Sequence, residues 1–143
     1  MIVKYNKEKH YLDLLGFVID NTNNEFYYTE NNLRKIIRDD TTLKTLLKNA
    51  HDIYVDENDG NISGIIMLWE AVGGDKKREY VKFSVYNESY LNNLLKIFSY
   101  ETKGDLYIKI KKDSKYLQCF KNNGFQFKNG RGSEVLLFLN KRG

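Results

Sequence analysis

The chain opens on alternation. Ile2-Val3-Lys4-Tyr5 sets apolar and polar residues at successive positions, the period of a short strand. From Lys7 to Asn21 the spacing becomes helical, with Leu12, Leu15 and Ile19 on one face and Tyr11 and Val18 beside them. Asn21 to Asn24 reads as a polar loop. Thr29 suits a helix N-cap, and Leu33, Ile36 and Ile37 supply an apolar stripe after it, so a helix is predicted there. Asp39-Asp40-Thr41-Thr42 interrupts the pattern, because these residues favour caps and turns. Leu43, Leu46 and Leu47 then mark a second short helix.

Beyond Ala50 the period falls to two. Asp52 to Asp56 reads as a strand, and Asp59-Gly60 is a strong hairpin signal. The next strand is predicted from Ile62 to Val72, where Ile65-Ile66-Met67-Leu68-Trp69 implies burial on both faces. Gly73 to Lys77 turns the chain into a third strand, Arg78 to Tyr86. Glu88 to Thr102 is an amphipathic helix with Leu91, Leu94, Leu95 and Phe98 on its buried side, closed by Gly104. Asp105 to Lys112 alternates as a strand, and Ser114 to Asn123 reads as a short helix ended by Gly124. Phe125 opens a last hairpin, with a turn predicted over Lys128 to Ser133 and a closing strand over Glu134 to Asn140. No repeat, linker or low-complexity tract divides the chain, so residues 1–143 are expected to form a single domain.

Composition narrows the classes. A hydrophobic fraction of 41%, including 14% aromatic residues, is enough for a packed core and excludes an intrinsically disordered chain. No apolar run is long enough to span a bilayer, and the N-terminus lacks the apolar stretch of a signal peptide. A lone cysteine, Cys119, rules out a disulfide framework within the chain. These features point to a cytoplasmic protein, or to a particle assembled in a host cytoplasm. The absence of proline and the abundance of Asn and Lys suggest an AT-rich genome, as in some bacteria, phages and large DNA viruses. The net charge of +4 is mild, and nucleic acid is not expected as a partner on that count.

The order of elements is strand, two or three helices, three antiparallel strands, helix, strand, helix, two strands. It resembles the N-acetyltransferase (GNAT) superfamily over nearly the whole chain. The segment Lys115-Tyr116-Leu117-Gln118-Cys119-Phe120-Lys121-Asn122-Asn123-Gly124-Phe125 carries the most specific match, an aromatic, three intervening residues and then Gly-Phe. Glycine ends the helix in a left-handed conformation, and the phenylalanine starts a buried strand. The resemblance implies an α/β fold, a GNAT-like mixed sheet of six or seven strands with helices on both faces. It further implies acetyl-CoA as cofactor and an amine as acceptor. Val85 and Tyr86 would then hold the pantetheine, with Asp113 and Tyr116 on the opposite wall. Tyr86-Asn87-Glu88-Ser89-Tyr90 would be the diphosphate turn. In the family that turn is glycine-rich; here it has neither glycine nor a basic residue. Phe120 stands where active members often carry a tyrosine that protonates the leaving thiolate, and phenylalanine donates no proton. The residues therefore leave two readings open. One is an acyl-CoA-dependent N-acyltransferase with weak or lost activity. The other is a non-catalytic structural or interaction protein, of viral or phage origin, that uses its surface on a protein partner.

Other residues carry weaker signals. Glu70 and Glu79 lie near the position of the family's general base, although a solvated strand end explains them as well. His10 and His51 stand at element boundaries with no Cys or His cluster to support a metal. Cys119 has no basic neighbour in sequence that would activate it. Lys109, Lys111, Lys112 and Lys115, with Tyr107 and Tyr116, form a basic stripe; basic side chains with aromatics can bind nucleic acid, a third and weaker reading, but a solvated strand face accounts for them better.

Overall fold

The computed structural model describes residues 1–21, 26–30, 33–70 and 79–141, with no side chains for 28–30, 33, 34 and 70. Thirteen elements run in the order β1 (Ile2–Lys4), α1 (Lys7–Asp20), β2 (Tyr27–Glu30), β3 (Leu33–Ile36), α2 (Asp40–Lys48), β4 (Ala50–Asn58), β5 (Asn61–Glu70), β6 (Glu79–Val85), α3 (Glu88–Glu101), β7 (Leu106–Lys111), α4 (Leu117–Asn122), β8 (Gln126–Arg131) and β9 (Glu134–Leu139). Seven strands form one mixed sheet in the order β1-β4-β5-β6-β7-β9-β8, and β2-β3 form a separate hairpin. The sheet is antiparallel except at β6-β7, where α3 crosses between two parallel strands. An amphipathic helix between two strand segments leads to such a parallel crossover.

The helices bury their stripes on opposite faces. Leu91, Leu94, Leu95 and Phe98 of α3 join Cys119 and Phe120 of α4 against Leu68, Val81, Val85, Ile108, Ile110 and Leu137. Phe125 joins the same core, and Leu117 packs at its margin. On the other face Leu14, Phe17 and Val18 of α1 meet Leu43 and Leu46 of α2 over Val55, Ile65 and Met67. Gly64 lies under Leu94 of α3. A Cβ there would lie 2.9 Å from Leu94 Cδ1 and 2.9 Å from Val85 Cγ1. Gly64→Ala is therefore expected to cost about 1–2 kcal/mol through overpacking. An unchanged urea midpoint would show that α3 sits further from β5 than described.

Three sequence expectations are corrected. The buried side of α1 is Leu14, Phe17 and Val18 and not the predicted Leu12-Leu15-Ile19 face, of which Leu12 is 80% and Ile19 50% exposed. The helix predicted after Thr29 is instead the β2-β3 hairpin, with Tyr27 paired to Ile36 and Thr29 to Arg34. Phe26-Tyr27-Tyr28-Thr29 is a run of strand-favouring residues, and a stripe spanning so few residues does not distinguish the two periods. Ile37 is buried but Ile36 is 53% exposed, so they do not share a helical face. The turn predicted over Lys128 to Ser133 is also shorter. β8 runs to Arg131 with an irregular register between Phe127 and Asn129, leaving Gly132 and Ser133 as the loop. By contrast, Asp59 and Gly60 both take positive φ, 51° and 83°, the hairpin geometry that Asp-Gly announces. The turn expected at Gly73 to Lys77 and the polar loop over Thr22 to Asn24 lie outside the described residues.

Asp39, in the stretch read from the sequence as caps and turns, is the N-cap of α2. Its carboxylate accepts from the Thr42 N–H at 2.8 Å, and Thr42 answers through its hydroxyl. Those bonds, the backbone one first, hold the Asp39 carboxyl below its ordinary value. Burial pushes the Glu57 carboxyl up, but the Lys9 hydrogen bond and the charges of His10 and Lys9 outweigh it, and the net shift is downward. A carboxyl lowered in the folded state binds fewer protons there than in the unfolded chain. The stability it contributes is present above the ordinary carboxyl pKa of about 4 and is lost as pH falls through the folded value. The urea midpoint is expected to fall with acidification from about pH 5 downward. Asp39→Asn should flatten that slope, and an unchanged slope would remove Asp39 from the account.

Candidate functional site: the gap between β6 and β7

β6 and β7 share a single registered pair, Tyr80 with Tyr107, and the two strands part beyond it. The register on the other side of β6 fixes what faces the gap. Tyr86 donates its N–H to the Ser63 carbonyl at 3.2 Å, so alternation turns the main-chain groups of Ser84, Lys82 and Tyr80 to β5 as well. The N–H and C=O groups of Val81, Phe83 and Val85 point the other way, towards β7. Parallel strands that separate after one pair thus expose main-chain donors and acceptors within the sheet. A cleft of about 40 Å³ occupies the gap, walled by Val81, Phe83, Ile108 and Ile110 and reached by Phe26, Tyr27, Lys82, Lys109, Lys111 and Glu134.

On the α3-α4 side aromatic rings close the gap. Phe83 meets the Tyr116 ring edge-on at 5.2 Å and the Phe120 ring at 5.5 Å. Phe120 is fully buried and meets Phe125 at 5.2 Å. α4 is tied down against the start of α3: Cys119 Sγ lies 3.8 Å from the Glu88 carbonyl, and Asn123 Nδ2 donates to Asn92 Oδ1 at 3.1 Å. Burial pushes the Cys119 thiol up, with Glu88 adding to the rise, so it stays a protonated core residue and not a nucleophile. Burial likewise raises the Tyr116 hydroxyl, against a smaller opposing effect of Lys115.

The turn after β6 is organised by its own side chain. Asn87 is the N-cap of α3, and its Oδ1 accepts from the N–H groups of Ser89 at 3.0 Å and Tyr90 at 3.4 Å. Tyr86 turns to the opposite face, 46% exposed, with its ring edge-on to Phe17 at 4.8 Å. Val85 is buried, and its carbonyl is taken by Asn21 Nδ2 at 3.0 Å from the end of α1. The same amide reaches Ser84 Oγ at 3.0 Å.

The sequence-selected residues therefore separate into groups. Val85, Tyr86, Asn87 and Ser89 lie together at the end of β6, and Tyr116 and Phe120 pack on Phe83. Asp113 is exposed in the turn before α4. Glu79 sits at the far end of β6, about 20 Å from Val85 along the strand. Its carboxylate is 2.7 Å from His51 Nε2, and His51 Nδ1 is 3.2 Å from Asp52. Glu70 pairs with Glu79 in register, and its side chain lies outside the described residues. His10 is buried, accepts from the Asn6 N–H at 2.9 Å and faces Glu57 at 2.9 Å, a structural role. Among the described residues no group of His, Cys, Asp and Glu is arranged to hold a metal. Sequence reasoning missed Lys82, Tyr27 and Glu134 at the cleft. They come from three separate elements, and only the sheet order brings them together.

Solved structures share this architecture. An acetyltransferase of the GNAT family from Streptococcus pneumoniae superimposes with a TM-score of 0.68 over 98% of each chain at 12% identity. The chain has the GNAT fold. The GNAT domain of S. lividans PAT aligns at 0.66 over 97% of this chain and 89% of that one, at 11% identity. PaiA N-acetyltransferase from Thermoplasma acidophilum, in complex with coenzyme A, aligns at 0.60 over 98% of each chain at 14% identity. No protein-family model matches the sequence, and no curated protein matches it.

Proposed function

We propose that this chain is a GNAT-fold protein whose acyl-CoA-dependent N-acyl transfer is weak or lost. The observation that carries the reading is the Asn87 cap. A diphosphate at a helix N-terminus needs the first backbone N–H groups free and convergent. Here the side chain of Asn87 accepts from two of them, Ser89 and Tyr90. Glu88, in the first turn, adds a negative charge that opposes an anion. The residues at this turn do not fit the diphosphate of acetyl-CoA. Val85, Tyr86, Asn87, Ser89, Asp113, Tyr116 and Phe120, the positions that would hold the coenzyme, serve instead as cap, core and surface. Glu70 and Glu79 are proposed as strand-end residues and not as a general base.

In this reading the protein works by binding, as an interaction or structural protein of phage or viral origin acting in the host cytoplasm. No described helix is long and apolar enough to cross a membrane. The test is thiol release from acetyl-CoA in the presence of a panel of amines and amine-bearing peptides. The expected result is release at the rate of the protein-free control. Sustained turnover with any amine would return the chain to the enzymes.

A further inference from the structure

The face of the sheet opposite α3 and α4 carries an aromatic row. Trp69, Tyr80, Tyr107 and Phe138 are consecutive cross-strand partners on β5, β6, β7 and β9, so their side chains project from the same face. The rings are neighbours in space as well: Tyr80 and Tyr107 lie 6.3 Å apart, Tyr107 and Phe138 6.4 Å apart at 26°. Among the described residues α1 and α2 pack over β4 and β5, the end of α1 reaches the Ser84-Val85 end of β6 through Asn21, and Tyr27 lies over Lys82 and Glu134; no described helix packs on the Tyr80-Tyr107-Phe138 end of the face.

Cations interleave with the rings. Lys109 Nζ lies 5.2 Å from the Tyr80 centroid, and Lys128 Nζ lies 5.2 Å from Phe138 and 5.9 Å from Tyr107. Lys82 Nζ lies 4.8 Å from Tyr27 and 5.5 Å from Trp69. Lys111 and Arg131 are the cross-strand partners of Glu134 and flank it on this face. Glu134 is the one carboxylate among the described residues that lines the cleft opening here. Lysine ammonium groups over aromatic rings are displaced at little cost by a stacked base, and they are then placed to meet its phosphate.

We propose that this face binds single-stranded nucleic acid, with bases stacked on the Tyr80-Tyr107-Phe138 row and phosphates held by Lys109 and Lys128. Rings on an open sheet surface stack bases of any sequence, while flanking cations track the backbone. The row spans about 10 Å across the three strands, room for two or three bases and more than a mononucleotide covers. The proposal stands on the sheet face alone and is independent of the acyl-transfer reading.

The test is fluorescence anisotropy of the full chain with fluorescein-labelled octauridylate and octathymidylate, titrated over a range of salt. The expected result is binding that weakens with salt. Tyr107→Ala and Tyr80→Ala should each weaken it about tenfold, the worth of one stacked base. Tyr107→Phe keeps the ring and should keep the affinity, which separates lost stacking from lost folding. Lys109→Gln and Lys128→Gln should each lower the salt slope by about 0.7. UMP should bind far more weakly than the octamer, and polyglutamate should not displace it. Absence of binding at low salt would overturn the proposal. So would affinity indifferent to Tyr80 and Tyr107, UMP matching the octamer, or displacement by polyglutamate.

Discussion

Phe120→Ala is expected to lower the free energy of unfolding by about 3–5 kcal/mol, the usual cost of emptying a phenylalanine site in a core that cannot fully collapse. Phe120 is fully buried, and its ring is held between Phe83 of β6 and Phe125 at the entry to β8. Both neighbours belong to fixed elements, so the cavity would persist. The position also sets how α4 seals the α3-α4 side of the strand gap. Urea denaturation followed by circular dichroism reads the loss directly. A midpoint within error of the parent would place the ring in solvent and undo the assignment of α4 to the core.

Asn21→Leu is the second large effect, at about 2–3 kcal/mol. The Asn21 amide is buried and donates to Ser84 Oγ and to the Val85 carbonyl, each at 3.0 Å. That carbonyl faces the strand gap and has no strand partner there, so the amide replaces a missing ladder bond. Leucine would fill the volume but leave a buried carbonyl and hydroxyl without their donor, the expensive side of hydrogen-bond loss. Adding Ser84→Ala should recover part of the loss by removing one orphaned group. If Asn21→Leu were as stable as the parent, the end of α1 would not be docked on β6.

What was legible in the sequence follows from how local each signal is. The β4-β5 hairpin rests on Asp59-Gly60, and α3 rests on four leucine and phenylalanine positions at helical spacing; neither needs distant residues. The parallel pairing of β6 with β7 followed from the amphipathic helix between them. The β2-β3 hairpin was missed because Leu33, Ile36 and Ile37 are too few to fix a period, and what holds Ile37 is the Phe26 carbonyl, which accepts its N–H at 2.9 Å. The absence of glycine from the α3 turn could be read directly, but the Asn87 cap could not be separated from an ordinary loop asparagine. The aromatic row was hidden for the same reason as the cleft. Trp69, Tyr80, Tyr107 and Phe138 are scattered along the chain, and only the register of the four strands aligns them. The lysine stripe was visible, but its ring partners on β6 and β9 were not.

The central claim is that the start of α3 no longer accepts a coenzyme diphosphate, and calorimetric titration of the chain with acetyl-CoA tests it most directly. Micromolar affinity requires about 8 kcal/mol, and a helix dipole alone supplies about 1 kcal/mol at such a site. With Asn87 holding the Ser89 and Tyr90 N–H groups, the account predicts no heat of binding at micromolar concentrations. Saturable binding of acetyl-CoA in the micromolar range would contradict it.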